Sequence, residues 1–421
     1  MNFNKYEVDL APSKEEFVKI KDKTADFLSA LKEQMYKDKI DADIFLGGSF
    51  AKGTLVKKEK YDVDFFVRFN WKYENISDLL EKPVKRVCRK LGMKIERVHG
   101  SRDYFHVLAD KKIIFEIVPV LRIKRPNEAR NVTDLSYFHV NYVKKKSRGR
   151  ISNEIRMAKA FCHAQNVYGA ESYIRGFSGY GLECLVIYYK GFEKMLRELV
   201  KVKERIVIDP EKKYKKKDEA LFEMNENKLR GPIVLVDPTW KERNALGALS
   251  WETFNKFQKS AKAFLKNHKK DFFDKTNLDI SKLEEIAKKN KAELLQIKIR
   301  TNRQKGDIAG TKMKKFANFL TIEFRRYFDV LNSEFDYQED DWADFYLVVK
   351  RKKEVIKIGP PSKMKEHAAA FKKENTNWFA KNGIIHSKIK VDFTGQSFLE
   401  RFKQNNLKKI KDMNITELKV I

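Results

Sequence analysis

Cysteine is scarce in this chain. Cys88, Cys162 and Cys184 are the only three in 421 residues, and no two are spaced as CxxC. That fits buried thiols in a reducing cytoplasm, where we expect the protein, and argues against a zinc site. The seven histidines show no ligand spacing either. An apolar N-terminal stretch and any apolar run of about 18 residues are also missing, so neither a signal peptide nor a membrane span is expected. Acidic residues are under-supplied: 59 Asp+Glu face 89 Lys+Arg, a formal charge of +30. Such an excess predicts a polyanionic partner, most simply nucleic acid. Internal repeats and low-complexity linkers beyond Lys-rich loops are lacking.

What is present is a folded composition, 42% hydrophobic and 12% aromatic with 31 Phe. The length exceeds one compact core and predicts several domains. Ser13 and Glu16 form a capping box after Pro12, and Phe17, Ile20, Phe27, Leu28 and Leu31 recur at helical spacing, predicting a helix over 14–36. Strands are expected at 43–46, 62–69 and 112–123, with a helix near 75–92 between the last two. After the basic break KKKSRGR (144–150) the pattern turns mainly helical, over 154–165, 181–202 and 250–268. The run EKKYKKKDE (211–219) reads as an exposed basic loop. From 292 strand and helix alternate again, and 344–361 reads as a β-hairpin ending at Gly359-Pro360-Pro361. The fold class is therefore α+β, with domains expected at 1–150, 151–262 and 263–421.

The stretch GGSFAKGT (47–54) follows the apolar Ile44-Phe45-Leu46 and suggests a phosphate-holding turn. It is not a P-loop, which needs Gly, four residues and then Gly-Lys-Ser/Thr. Beyond it, Asp62 and Asp64 lie in an otherwise apolar strand and point to one face, about 6.5 Å apart at Cα. Tyr61, Val63 and Phe65 take the other face as core. Two adjacent carboxylates repel unless cations neutralise them, and hard oxygen ligands suit Mg²⁺. Glu116 is a third acid, isolated in IIFEIVPV, with Ile114 and Val118 on its face. Three such acids suit two-metal nucleotidyl transfer at an α-phosphate with pyrophosphate leaving. Asp62 and Asp64 would hold both metals, and Glu116 the one that activates the attacking hydroxyl. Ser49 and backbone N–H groups of the turn would cradle the β,γ-phosphates, with Lys52 adding charge.

GGSFAKGT…YDVDFFV…FEIVP resembles the head-domain signature of the nucleotidyltransferase superfamily that includes DNA polymerase β. EIRMAKAFCHAQNVYGAESYIRGFSGYGLECLV (154–186), VDPTWKERNALGALS (236–250), DLSYFHVNYV (134–143) and the GPP near 359 are similar to segments of the archaeal, class I CCA-adding enzymes. The resemblance covers the chain to about residue 386 and implies a polymerase β-like head, a mostly helical neck that binds the base, and an α+β body and tail that grip tRNA. It implies addition of C, C and A to tRNA 3′ ends from CTP and ATP with Mg²⁺. Ser49, Lys52, Lys159 and Tyr168 fall on triphosphate contacts, the family often having Arg at position 52. His139 falls beside the incoming nucleotide, although the residues alone read it as a packed core histidine. Arg243 falls on the arginine that reads the base, whereas Arg175 and Tyr180 would join neck to head. Lys159 would stand on a helix face with Arg156, opposite Ile155, Phe161 and Cys162. Glu116 stands where the family generally has Asp, which touches the geometry of the second metal, and the C-terminal region is shorter than the family leads one to expect. The expected partners are tRNA, CTP and ATP, without a membrane, and the reading leaves a homodimer open. Two rivals remain: another class I nucleotidyltransferase, poly(A) polymerase-like or a signalling-nucleotide synthase, and a catalytically silent RNA-binding protein.

Overall fold

The computed structural model describes residues 10–274 and 278–421, and the chain divides into two compact units, residues 1–276 and 277–421. Among the described residues no helix is long and apolar enough to cross a membrane.

The first unit opens with α1 (Lys14–Lys37), whose Ser13–Glu16 capping box is formed and whose Ile20, Phe27, Leu31 and Met35 make the buried stripe. Strand β1 (Ala42–Leu46) leads through the short helix α2 (Gly48–Lys52) into β2 (Tyr61–Phe69). The glycine-rich segment that joins this antiparallel pair contains a single helical turn, closed by Gly53 at φ 67°. After α3 (Ile76–Leu91) come two strands that the sequence reading did not resolve, β3 (Lys94–Val98) and β4 (Tyr104–Asp110), followed by β5 (Ile113–Leu121). Both are mixed in polarity, which hid their period. The sheet runs β1-β2-β5-β4-β3, with β2 and β5 parallel and the other pairs antiparallel. Its buried face packs Val63, Phe65, Phe105 and Phe115 on Phe27 of α1 and Leu80 of α3.

Helix α4 (Ser136–Lys146) follows, then the helical half of the same unit: α5 (Arg150–Ala164), α6 (Gly179–Tyr189) and α7 (Phe192–Leu199). The single helix expected over 181–202 is broken, because Lys190 and Gly191 take φ of 58° and 148°. Buried Glu154 accepts the Phe192 N–H and so starts α7. Two short parallel strands, β6 (Ile206–Ile208) and β7 (Ile233–Leu235), bracket the basic run and the short α8 (Glu219–Glu223). The basic run is pinned and not wholly exposed: Tyr214 is buried and donates to the Lys241 carbonyl. Helix α9 (Trp251–Asn267) completes the core. The boundary expected at 262 falls inside it, and Phe264 beyond that point belongs to the same cluster as Phe161 and Phe192. All three cysteines are buried.

In the second unit, α10 (Ile280–Asn290), β8 (Glu293–Arg300), α11 (Asp307–Arg325), β9 (Phe328–Tyr337) and β10 (Trp342–Arg351) build a four-stranded sheet of order β14-β8-β10-β9, closed by β14 (Glu417–Val420). Buried Leu295, Ile297 and Ile299 alternate along β8. Strand β11 (Glu354–Pro361) does not form the expected hairpin with β10. Both edges of β10 are taken by β8 and β9, so β11 pairs with β13 (Ile384–Lys390) in a second sheet with β12 (Trp378–Lys381). Helix α12 (Lys365–Glu374) lies between β11 and β12 in the chain, and α13 (Gly395–Asn405) and α14 (Leu407–Asp412) precede β14.

Candidate active site

The alternation of β2 turns Tyr61, Val63 and Phe65 into the core at 0–1% exposure and leaves Asp62 and Asp64 on the opposite face. Parallel pairing sets Asp64 directly beside Glu116 of β5, and the antiparallel neighbour sets His106 of β4 on the far side of Glu116. Glu116 is thus on an interior strand, with Ile114, Val118 and Val120 along its face. Phe66, Val118 and Val120 form a small apolar cluster there, with Phe45 and Tyr104 packed on it. Charge is only partly met: Lys58 Nζ lies 3.6 Å from Asp62 and His106 Nε2 lies 3.2 Å from Glu116. Burial, then the charge of Glu116 and of Asp62, pushes the Asp64 carboxyl up to about 7 against the pull of Lys52 and Lys159. Burial also raises Asp62, and the hydrogen bond to Glu116 raises His106.

The segment before β2 folds back over these acids. The Gly47 N–H donates to the Asp64 carbonyl at 2.8 Å. Gly48 has φ 58°, and a Cβ there would stand 1.6 Å from Asp64 Oδ2, so only glycine lets the carboxylate lie against the turn. Ser49, partly buried, follows on α2, and its carbonyl accepts the Thr54 N–H.

Across from the sheet, α5 presents Arg156 and Lys159 toward this segment. Arg156 donates to the carbonyls of Leu55 at 3.1 Å and Gly53 at 2.7 Å. Lys159 is buried and not on a solvated helix face: its Nζ donates to Glu183 Oε1 at 2.6 Å and to Thr54 Oγ1 at 3.0 Å. Lys52 Nζ takes the other oxygen, Glu183 Oε2, at 2.6 Å. Burial drives Lys159 down to about 8 even with Glu183 beside it, while the two lysines overcome burial and hold Glu183 down at about 2. Tyr168 stacks on His163 at 3.9 Å, and burial together with the charge of Glu183 raises its hydroxyl.

A second polar knot forms where α4 meets α6 and the loop after β7. The buried Asp237 carboxylate lies 3.0 Å from His139 Nε2 and accepts from Arg243 Nη1 at 2.7 Å, Tyr180 at 2.9 Å and the Thr239 N–H at 2.7 Å. Those donors outweigh burial and hold Asp237 well below the usual carboxylate range. His139 stacks on Tyr180 at 3.9 Å and is lowered by burial. Tyr180 ties the helical half to α4, whereas Arg175 is exposed, its N–H donating to the Glu171 carbonyl and its carbonyl accepting the Ser250 N–H.

The structure thus brings together Asp62, Asp64 and Glu116, joins Lys52 to Lys159, and places His139 with Arg243. Sequence reasoning missed Glu183, Thr54, Asp237 and His106. Glu183 carried a usable signal, being the lone acid in the apolar run Gly179–Tyr189. Among the described residues no three His, Cys, Asp or Glu side chains already converge on one point where an ion could sit. The donor set nevertheless fits a hard divalent cation in kind: the three acids share a face, and burial together with the charges of Glu116 and Asp62 raises Asp64.

Residues 25–125 match the family described as "Nucleotidyltransferase domain", and residues 153–274 match "tRNA nucleotidyltransferase, second domain". The solved structure of Cid1, whose work concerns RNA terminal uridylyl transferase activity, shares the fold with a TM-score of 0.51 at 13% identity, over 65% of this chain and 97% of that one. The CCA-adding enzyme of Thermococcus gammatolerans is 26% identical over 416 residues, 94% of this chain and 88% of its own. That of Nanoarchaeum equitans is 36% identical over 363 residues, 83% of this chain and 84% of its own. At that likeness, over most of both chains, the protein belongs to the family of CCA-adding enzymes, built on a nucleotidyltransferase domain.

Proposed function

We propose that this protein adds C, C and A to the 3′ end of tRNA from CTP and ATP, without a template, releasing pyrophosphate at each step. The observation that carries the reading is the pairing, inside one unit, of a three-acid strand face with a buried lysine pair. Asp62, Asp64 and Glu116 are the residues that would hold two Mg²⁺ ions, which when bound would activate the attacking hydroxyl and neutralise charge at the α-phosphate. Ser49, Lys52, Lys159 and Tyr168 hold the β,γ-phosphates and the departing pyrophosphate. Arg243, with Nη1 fixed on Asp237, keeps its remaining N–H groups for the edge of the incoming base, beside the His139–Tyr180 stack. The +30 charge supports a grip on the phosphates of the tRNA acceptor stem, which positions RNA without reading its sequence.

The test is the purified protein with tRNA lacking its 3′ CCA, given CTP, ATP or both, with product length read on a gel. Two additions with CTP alone and a stop after three with both are expected. A long homopolymer, or product formed without RNA, overturns the reading.

A further inference from the structure

The lysine pair is tied to a group with no role so far. Glu183 sits on α6 between Leu182 and Cys184, its side chain at 0% exposure, in a helix otherwise given over to the core. It donates no packing that leucine would not provide, and a lone buried carboxylate is costly unless paired. Its oxygens are divided: Oε2 takes Lys52, which comes from the end of α2, and Oε1 takes Lys159 of α5 together with the Thr54 hydroxyl at 3.1 Å. The two ammonium groups are themselves nearly buried, at 9% and 5% side-chain exposure.

One carboxylate cannot neutralise two ammoniums. A surplus positive charge therefore remains at a site almost closed to water, where it would be unfavourable unless an anion completes it. Asp64 lies close enough for both lysines to lower it, but it already faces Asp62 and Glu116 on its other side. The arrangement is a cation pair assembled in advance, short of one anionic partner. A brace serving only to join the two halves of the unit would need a single lysine, and Arg156 with the carbonyls of Gly53 and Leu55 already makes that join.

We propose that Glu183 is a positioning residue for the triphosphate of the incoming nucleotide, holding Lys52 and Lys159 together so that both ammoniums meet its β,γ-phosphates as a pair. This rests on the reading of those lysines as triphosphate ligands. The residue acts through the lysines and does not touch the nucleotide. Without it the two like charges separate, and each lysine regains the rotamer freedom that binding must then remove.

The experiment compares Glu183→Gln with the parent full-length protein in steady-state CTP addition to tRNA ending before CCA, alongside tRNA binding. The KM for CTP should rise about tenfold or more, as a charge-assisted contact is worth, while kcat and tRNA affinity change by less than about threefold. In a Lys52→Met/Lys159→Met background the same substitution should have no further effect on KM. An unchanged KM in Glu183→Gln, or a KM rise of the same size in the lysine-free background, overturns the proposal. If the double lysine variant itself keeps the parental KM, the assignment of those lysines to the triphosphate fails instead. Should Gln at this position prevent folding, as a thermal melt would show, Glu183→Asp keeps the charge, shortens the reach by one methylene and is held to the same criterion.

Discussion

The strand face and the helical face of the first unit treat charge in opposite ways. On the strand face three carboxylates crowd one another, with Lys58 and His106 as partial relief. On the helical face each buried acid is matched: Glu183 by two lysines, and Asp237 by Arg243, His139 and Tyr180. The result is two carboxylates driven apart, Asp64 up to about 7 and Glu183 down to about 2. Burial raises both; on Asp64 the neighbouring acids add to it, and on Glu183 the two lysines overcome it. The Asp237 cluster is complete in itself, whereas the lysine pair on Glu183 is short of one anion. The strand face is short of positive charge, which a cation from outside would supply.

That contrast breaks most visibly if the acids are removed. Asp64→Ala should abolish incorporation of labelled CTP, a loss of about 10³-fold or more on the scale of losing a principal electrostatic group. Retained turnover would show that the strand face is not where the chemistry happens. Gly48→Ala tests the same face without deleting a carboxylate. A Cβ 1.6 Å from Asp64 Oδ2, at φ 58°, forces the acid or the turn to move, and displacement of about 1 Å can cost about 100-fold in kcat. Parental kcat in a folded Gly48→Ala protein would mean that the turn does not set the position of Asp64.

On the matched side the expected effect is smaller and should fall on recognition. Arg243→Ala should lower kcat/KM for CTP and ATP by roughly 10–100-fold, from the ~1–3 kcal/mol that a bidentate base contact is worth. Binding of tRNA, followed by gel shift, should stay within about twofold. Equal losses in nucleotide use and tRNA binding would contradict the base-reading role.

How far these faces were legible in the sequence follows from the same physics. Strand alternation in β2 put Asp62 and Asp64 on one face and the lone acid in β5 marked Glu116 as a third, but only the parallel register of β2 and β5 sets Glu116 beside them. The capping box of α1 was legible because it is local. The Lys52–Glu183–Lys159 group joins residues 131 and 24 positions apart, and nothing within either segment specifies such a meeting. The hairpin expected over 344–361 failed for a related reason: β10 is claimed on both edges by partners from elsewhere in the chain, and adjacency could not show that. The two weakly alternating strands β3 and β4 are defined by pairing, β4 with the edge of β5 and β3 with β4.

The subtlest difference between the faces is in stability. An acid raised in the folded state lends stability below its unfolded pKa of about 3.9 and loses it as pH climbs through the folded value, here about 7. Asp64 therefore works against folding above pH 7, through burial first and then the charges of Glu116 and Asp62, with Lys52 and Lys159 in partial opposition. Asp64→Asn removes that penalty while nearly preserving shape. In metal-free buffer its Tm should exceed the parent's by a few degrees, at ~2–4 °C per kcal/mol for a unit of this size. The gain should widen from about pH 4 to pH 7 and stay level above. Added Mg²⁺ should narrow it at pH 8, since a cation binds the ionised acids of the parent and finds fewer in the variant. A gain that shrinks as pH rises would mean that the strand face is already neutralised from within, and the contrast between the two faces would collapse.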